Sequence, residues 1–113
     1  MEMNGETFYP VGALEDFLPQ IGRVVELGDQ PIAVFRTTDG RIFAALNRNP
    51  HPKGGPLAEG IVSGHYLYDP LYDWKIDLTT GLVQAPDTGR VAMFPVKVEN
   101  GQVFVAAAEL QQV

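Results

Sequence analysis

Two short stretches of the chain carry side chains that could do chemistry, Asn49-Pro50-His51 and Asp69-Pro70-Leu71-Tyr72. Asn49 offers a neutral amide oxygen, Asp69 a carboxylate and Tyr72 a phenol with a pKa of roughly 10. The carboxylates of Asp69 and Asp73 and the imidazole of His51 are ligand types that suit one hard or borderline metal ion, such as manganese or non-haem iron. The plainer interpretation, which we favour, is that these polar side chains hydrogen-bond the loops that carry them.

The absence of cysteine removes several kinds of chemistry at once. With no cysteine in 113 residues, disulfides, thiolate catalysis and cysteine-ligated zinc are excluded. Ser63 is the only serine and lacks a hydrolase nucleophile context, and Gly54-Gly55 lacks the Gly-Lys-Ser/Thr ending of a phosphate-binding loop. A net charge of −6, with eight scattered Lys and Arg residues, would repel a phosphate backbone, so no nucleic acid partner is expected.

The elements that position the two stretches are predicted to be β-strands. Twelve Gly and nine Pro residues interrupt the chain, and the pieces between them are rich in Val, Ile, Phe and Tyr. Asp39-Gly40 and Asn100-Gly101 are typical hairpin turns. Short helical turns are predicted at residues 13–18 and 107–113, the second of them marginal. The predicted strands are residues 7–11, 22–27, 31–36, 42–46, 61–62, 65–68, 74–78, 95–99 and 102–106.

The strand pattern breaks at both candidate stretches. Residues 47–60 contain three prolines and a Gly-Gly pair, which favour a long ordered loop, and Asp69-Pro70 ends the next strands. No stretch approaches the roughly 20 apolar residues of a membrane helix, and the acidic N-terminus lacks the features of a signal peptide. We therefore expect one cytoplasmic all-β domain over residues 1–113, with two antiparallel sheets in a sandwich or partial barrel and two long loops at one end.

The two loops resemble the ligand loops of a Rieske iron–sulfur domain. That family holds a [2Fe-2S] cluster with two cysteine and two histidine side chains. Asn49-Pro50-His51 stands where Cys-Pro-His would be, and Asp69-Pro70-Leu71-Tyr72 stands where Cys-Pro-Leu-His would be. Gly54-Gly55-Pro56-Leu57 follows the first loop as in the family, with one extra residue between. Only His51 keeps a ligand type, so we expect no cluster in this chain.

The chain also resembles one branch of that family, the small subunit of assimilatory NAD(P)H-dependent nitrite reductase. The likeness spans nearly the whole chain and includes Gly60-Ile61-Val62 and the closing run from Val96 to Phe104. It implies an accessory, non-catalytic subunit in nitrate assimilation, without a cofactor of its own. Its partner would be a large catalytic subunit that carries siroheme, an iron–sulfur cluster and FAD and uses NAD(P)H to reduce nitrite to ammonium.

On this interpretation, the vestigial cluster-loop positions serve docking to the large subunit. These positions are Asn49, His51, Asp69 and Tyr72. Because aromatic anchors are favoured at interfaces, the predicted contact residues are Leu57, Tyr72 and Trp74. Two alternatives remain open: a stand-alone Rieske-type electron carrier with an atypical metal at His51, Asp69 and Asp73, and an interaction module unrelated to nitrite reduction.

Overall fold

The chain folds almost entirely into β-structure, as its sequence predicts. A computed structural model describes residues 6–108, and no helix in that range is long and apolar enough to cross a membrane. The short helical turn predicted at residues 13–18 is present as a 3-10 turn at Leu14–Asp16. The strands are β1 (Glu6–Ala13), β2 (Arg23–Leu27), β3 (Gln30–Arg36), β4 (Ile42–Leu46), β5 (Ile61–Ser63), β6 (Tyr66–Tyr68), β7 (Lys75–Asp77), β8 (Met93–Phe94), β9 (Val96–Glu99) and β10 (Gln102–Ala108).

The strands of residues 6–108 form three antiparallel sheets. Their strand orders are β2-β3-β4-β8, β1-β10-β9 and β5-β6-β7. The predicted all-β class is confirmed, and the difference from two sheets has a local cause. Loops rich in Pro and Gly flank β5, β6 and β7, so these short strands pair in register with one another, and β7 also forms an isolated bridge between Ile76 and Val83.

The central sheet is the middle layer of the molecule, and β3 shows why. Successive side chains of a strand point to opposite faces. Ala33 and Phe35 are buried in one apolar cluster with the β5-β6-β7 sheet, whereas Ile32 and Val34 are buried in a second cluster with β10. Both faces of the central sheet are therefore covered. The loop that precedes β5 and the loop that follows β6 are attached to this packed core.

Long-range pairing explains where sequence expectations and structure differ. The Asn100-Gly101 turn forms as predicted, with both residues at positive φ, and joins β9 to β10. Ala107 and Ala108 extend β10 instead of starting a helical turn, because Ala107 pairs with Thr7 of β1. Residues 109–113 lie outside the described residues. The short strand β8, which sequence reasoning missed, pairs with β4.

Candidate functional site

The two Pro-containing loops lie against each other at one end of the molecule. We call residues 47–60 the first loop, residues 69–74 the second loop, and the two together the tip. Asn47 shapes the first loop, because its Oδ1 accepts hydrogen bonds from the N–H groups of Leu57, at 2.7 Å, and Ala58, at 2.9 Å. The N–H of Asn49 also donates to the carbonyl of Gly55 at 2.7 Å. The first loop is thus ordered from within.

The second loop is built around the carboxylate of Asp69, which is only 3 % exposed. Its Oδ1 accepts hydrogen bonds from the N–H groups of Leu71, at 2.9 Å, and Tyr72, at 2.6 Å. Its Oδ2 accepts one from the N–H of Trp74 at 2.7 Å. The backbone turns tightly here, with Asp73 at a φ of 61°, a left-handed conformation that aspartate tolerates better than most residues.

These contacts set the protonation state of Asp69. Burial alone would raise the pKa of this carboxyl, but the N–H groups of Tyr72, Trp74 and Leu71, together with the Asn49 amide, outweigh burial and hold the pKa below its usual value. Asp69 is therefore ionised at neutral pH. Both of its oxygens already accept hydrogen bonds from the backbone, so the charge serves to hold the loop.

Asn49 lies beside Asp69 and is only 2 % exposed. Its Oδ1 accepts a hydrogen bond from the N–H of His51 at 3.0 Å. Its Nδ2 is buried and has no hydrogen-bond partner among residues 6–108. The amide is close enough to lower the pKa of Asp69 without reaching good hydrogen-bond geometry. Such an orphaned buried donor is unusual in a folded protein.

An aromatic stack covers this polar pair of side chains. The rings of His51 and Tyr72 are stacked, with centroids 3.7 Å apart and an interplanar angle of 12°. Trp74 lies against His51 at 4.9 Å with a tilt of 54°. The Nδ1 of His51 accepts a hydrogen bond from the N–H of Lys53 at 3.1 Å, which leaves Nε2 to carry the proton of the neutral ring.

The four vestigial positions do not fit a [2Fe-2S] cluster. Asn49 and Asp69 supply no thiolate, and the oxygens of Asp69 are engaged by the backbone. The stacking distance of 3.7 Å between His51 and Tyr72 leaves no room for iron and sulfide between the rings. The alternative ligand set also fails to assemble, since residues 6–108 contain no group of three or more His, Cys, Asp or Glu residues placed to hold a metal ion.

The predicted contact residues differ in how deeply they are buried. Tyr72 and Trp74 are half-buried and lie at the tip. Leu57 is fully buried in the core beneath the first loop, so its prediction as a surface contact is wrong. The Pro- and Gly-rich loop around Leu57 favoured a contact surface, but the N–H of Leu57 donates to Oδ1 of Asn47 and its side chain is buried.

Two exposed apolar residues near the second loop were missed by sequence reasoning. Leu71 is 54 % exposed, and Ile61 is 69 % exposed. A signal for Ile61 exists in the sequence, because strand alternation places Ile61 and Val62 on opposite faces and only one can enter the core. In the structure Val62 is the buried residue of the pair.

This fold and these loops define a class of protein. The sequence model of the Rieske-like [2Fe-2S] domain matches residues 7–106, and the chain belongs to that family. The chain is also similar in fold to a solved structure described as an NADH-dependent nitrite reductase small subunit from Mycobacterium tuberculosis. That match has a TM-score of 0.82 and 24 % identity and covers 93 % of this chain and 98 % of the other.

The similar proteins of known function include nitrite reductase subunits and a dioxygenase ferredoxin subunit. The chain is 27 % identical to the Escherichia coli K12 nitrite reductase (NADH) small subunit, covering 80 % of this chain and 88 % of that protein. It is 33 % identical to part of the Klebsiella oxytoca nitrite reductase [NAD(P)H] large subunit, covering 84 % of this chain but 10 % of that protein. It is 34 % identical to the anthranilate 1,2-dioxygenase ferredoxin subunit of Burkholderia cepacia, covering 87 % and 90 %.

Proposed function

We propose that this chain is the accessory small subunit of an NAD(P)H-dependent nitrite reductase. It holds no cluster and acts by docking its tip to a large subunit that carries siroheme, an iron–sulfur cluster and FAD. The observation that carries the proposal is the tip itself. At the four positions that the resemblance assigns to cluster ligands, Asp69 accepts hydrogen bonds from the second loop and the rings of His51 and Tyr72 stack, which supports a tip without a cluster.

The relatives support a large catalytic partner. In Klebsiella oxytoca, a segment similar to this chain forms about a tenth of a nitrite reductase large subunit. A domain of this type is therefore covalently joined to the catalytic polypeptide in that protein. The free Escherichia coli small subunit has a similar length, since the match covers 88 % of it. Both cases support a domain that works in contact with the large subunit.

A role as a ferredoxin is the second candidate, favoured by the 34 % identity to a dioxygenase ferredoxin subunit. Electron transfer by such a protein requires a redox centre. A Rieske centre needs cysteine thiolates on one iron, and this chain has no cysteine. The lack of cysteine ligands weighs more than the overall sequence identity to a ferredoxin, and we therefore rank the nitrite reductase role first.

The two candidates separate in a single purification. The chain should be colourless, bind less than stoichiometric iron, and show no nitrite-dependent NADH oxidation alone. Mixed with the siroheme-containing large subunit from the same host, it should form a complex and change the rate of nitrite-dependent NADH oxidation. Absence of both the complex and the rate change would contradict the proposal. A charge-transfer band with stoichiometric iron would favour the ferredoxin role instead.

A further inference from the structure

A groove lies beside the second loop, between that loop and strands β5 and β6. Its volume is about 360 Å³. This is at the low end of the roughly 300–1,000 Å³ of small-molecule pockets, and the groove is open, so it suits a few side chains of a partner better than an enclosed ligand. The lining residues are Glu59, Ile61, Tyr68, Asp69, Pro70, Leu71 and Asp73.

The groove exposes two large aliphatic side chains. Ile61, at 69 %, is the most exposed large hydrophobic residue of the described chain, and Leu71 is 54 % exposed. Isolated exposed apolar residues are ordinary, but two that share one concave surface indicate an interaction site. Exposure of these two side chains to water is unfavourable in free energy, and a partner that covers them would remove this penalty.

Leu71 is held in this exposed position by the backbone around it. The N–H of Leu71 donates to Asp69, which fixes the start of the turn. Gly55 of the first loop has a φ of +106°, and a Cβ at that position would lie 2.5 Å from Cδ1 of Leu71. The first loop therefore supports Leu71 from one side without covering it. A side chain fixed before binding loses little conformational entropy when a partner arrives.

The charges around the groove decide what kind of partner fits. Among the lining residues, Glu59 and Asp73 are exposed and the ionised Asp69 is buried, while no Lys or Arg lines the groove. The cation of the neighbouring strand is directed elsewhere, since Nζ of Lys75 lies 4.2 Å from the ring centroid of Tyr66. A positively charged partner would therefore be favoured and a negatively charged one repelled.

We propose that this groove receives an apolar side chain of the large subunit that has a Lys or Arg close to it in space. The apolar side chain packs between Ile61 and Leu71, and the cation faces Glu59 and Asp73. This inference rests on the proposed function and adds the chemistry of the contact. Pro70 and Leu71 line the groove and belong to the second loop, as Tyr72 does, so the groove adjoins the tip.

The test measures binding of the full-length chain to the purified large subunit by calorimetry. The Ile61→Ala/Leu71→Ala variant should weaken the affinity about tenfold or more, as expected for central apolar anchors. Val98→Ala is the matched control, because Val98 is 42 % exposed on β9 and lies outside the groove. Since all three residues are exposed, thermal unfolding of each variant should match that of the wild type.

Charge is tested with Glu59→Lys and with Glu26→Lys as its control, since Glu26 is exposed on β2. Glu59→Lys should weaken binding at low salt and reduce the salt dependence of the affinity, whereas Glu26→Lys should change neither. If the wild type binds the large subunit and neither groove variant changes the affinity, the groove assignment is wrong and the proposed function stands. No wild-type binding overturns both. Self-association of the wild type that Ile61→Ala/Leu71→Ala abolishes assigns the groove to a second copy and overturns the large-subunit contact.

Discussion

Asp69 is the residue on which the geometry of the second loop depends. One buried carboxylate satisfies three backbone N–H groups, those of Leu71, Tyr72 and Trp74. Hydrogen bonds to an ionised acceptor contribute more to stability than neutral ones. The aspartate that the resemblance to Rieske domains places at a ligand position thus stabilises the loop from within.

Asp69→Asn should destabilise the protein by roughly 2 kcal/mol at neutral pH, because an amide nitrogen replaces one acceptor and meets N–H donors. The free energy of unfolding in urea measures this loss. Asp29→Asn is the control, since Asp29 is exposed in the turn between β2 and β3 and should change stability by no more than about 0.5 kcal/mol. Equal effects of the two variants would contradict the bracing role of Asp69.

The lowered pKa of Asp69 also predicts how the stabilities of the wild type and of Asp69→Asn depend on pH. Because the pKa is lower in the folded than in the unfolded chain, the carboxylate stabilises the fold above about pH 4, and this contribution is lost as the pH falls through the lowered pKa. The stability gap between wild type and Asp69→Asn should therefore narrow as the pH falls below about 5 and through the lowered pKa. A gap that stays constant over this range of urea titrations would disprove the linkage.

The stack of His51 on Tyr72 makes a second prediction at the residue scale. Tyr72→Ala should move the ring-proton resonances of His51 towards unshielded positions, because the ring 3.7 Å away is removed. It should also cost about 1 kcal/mol of stability, whereas Tyr72→Phe should keep both the shifts and the stability. The resonances of His65, which lies against Tyr66, serve as the internal reference. Unchanged His51 shifts in Tyr72→Ala would rule out the stack in solution.

At the scale of the elements, local sequence signals predicted the hairpins well. The pairs β2–β3, β3–β4 and β9–β10 all appear where alternation and turn residues indicated them. Pairings between distant segments carried no such signal. Phe94 pairs with Ala44, and Phe8 pairs with Ala106, through contacts that no local pattern encodes. Tertiary packing decides these elements, and it also turned residues 107–108 from helix to strand.

The candidate site shows the same division between local and long-range information. The spacing of the candidate positions and the Pro and Leu residues between them were sufficient to place Asn49, His51, Asp69 and Tyr72 in two facing loops. They could not predict that the rings of His51 and Tyr72 would stack, since that depends on loop geometry. Nor could they predict that Leu57 would be buried, because its environment is supplied by strands far away in sequence.

Asn47 provides the test at this scale. Asn47→Ala removes the acceptor for the N–H groups of Leu57 and Ala58 and should cost about 2 kcal/mol. Hydrogen exchange of these two amides should become faster, while amides of β9 and β10 stay protected. Asn47→Asp keeps an acceptor oxygen and should restore protection. Fast exchange at both amides already in the wild type would contradict this anchor.

At the scale of the whole molecule, packing on both faces of the central sheet holds the base of the two loops. Apolar clusters on both faces of the central sheet bury residues such as Phe35 and Phe17 completely. We therefore expect the core to be stable without a [2Fe-2S] cluster.

Restoring the ligands tests that view. Asn49→Cys/Asp69→Cys/Tyr72→His, with His51 kept, should bind about two irons per chain after anaerobic reconstitution with iron and sulfide, and should show visible absorption. The wild type should bind none under the same conditions. Adding His51→Ala to the triple variant is the control and should reduce cluster yield. A folded triple variant that takes up no iron would show that the loops no longer hold Rieske geometry.

Glu6 and Ala108 are register partners in the β1–β10 pairing, so the two limits of the described chain lie only about 5 Å apart. They belong to the β1-β10-β9 sheet, which contributes no residue to the tip. A domain whose two chain limits are adjacent can be inserted into a longer polypeptide without a change at the tip. The same architecture can thus be produced either as a separate gene product or as an insert within a larger enzyme.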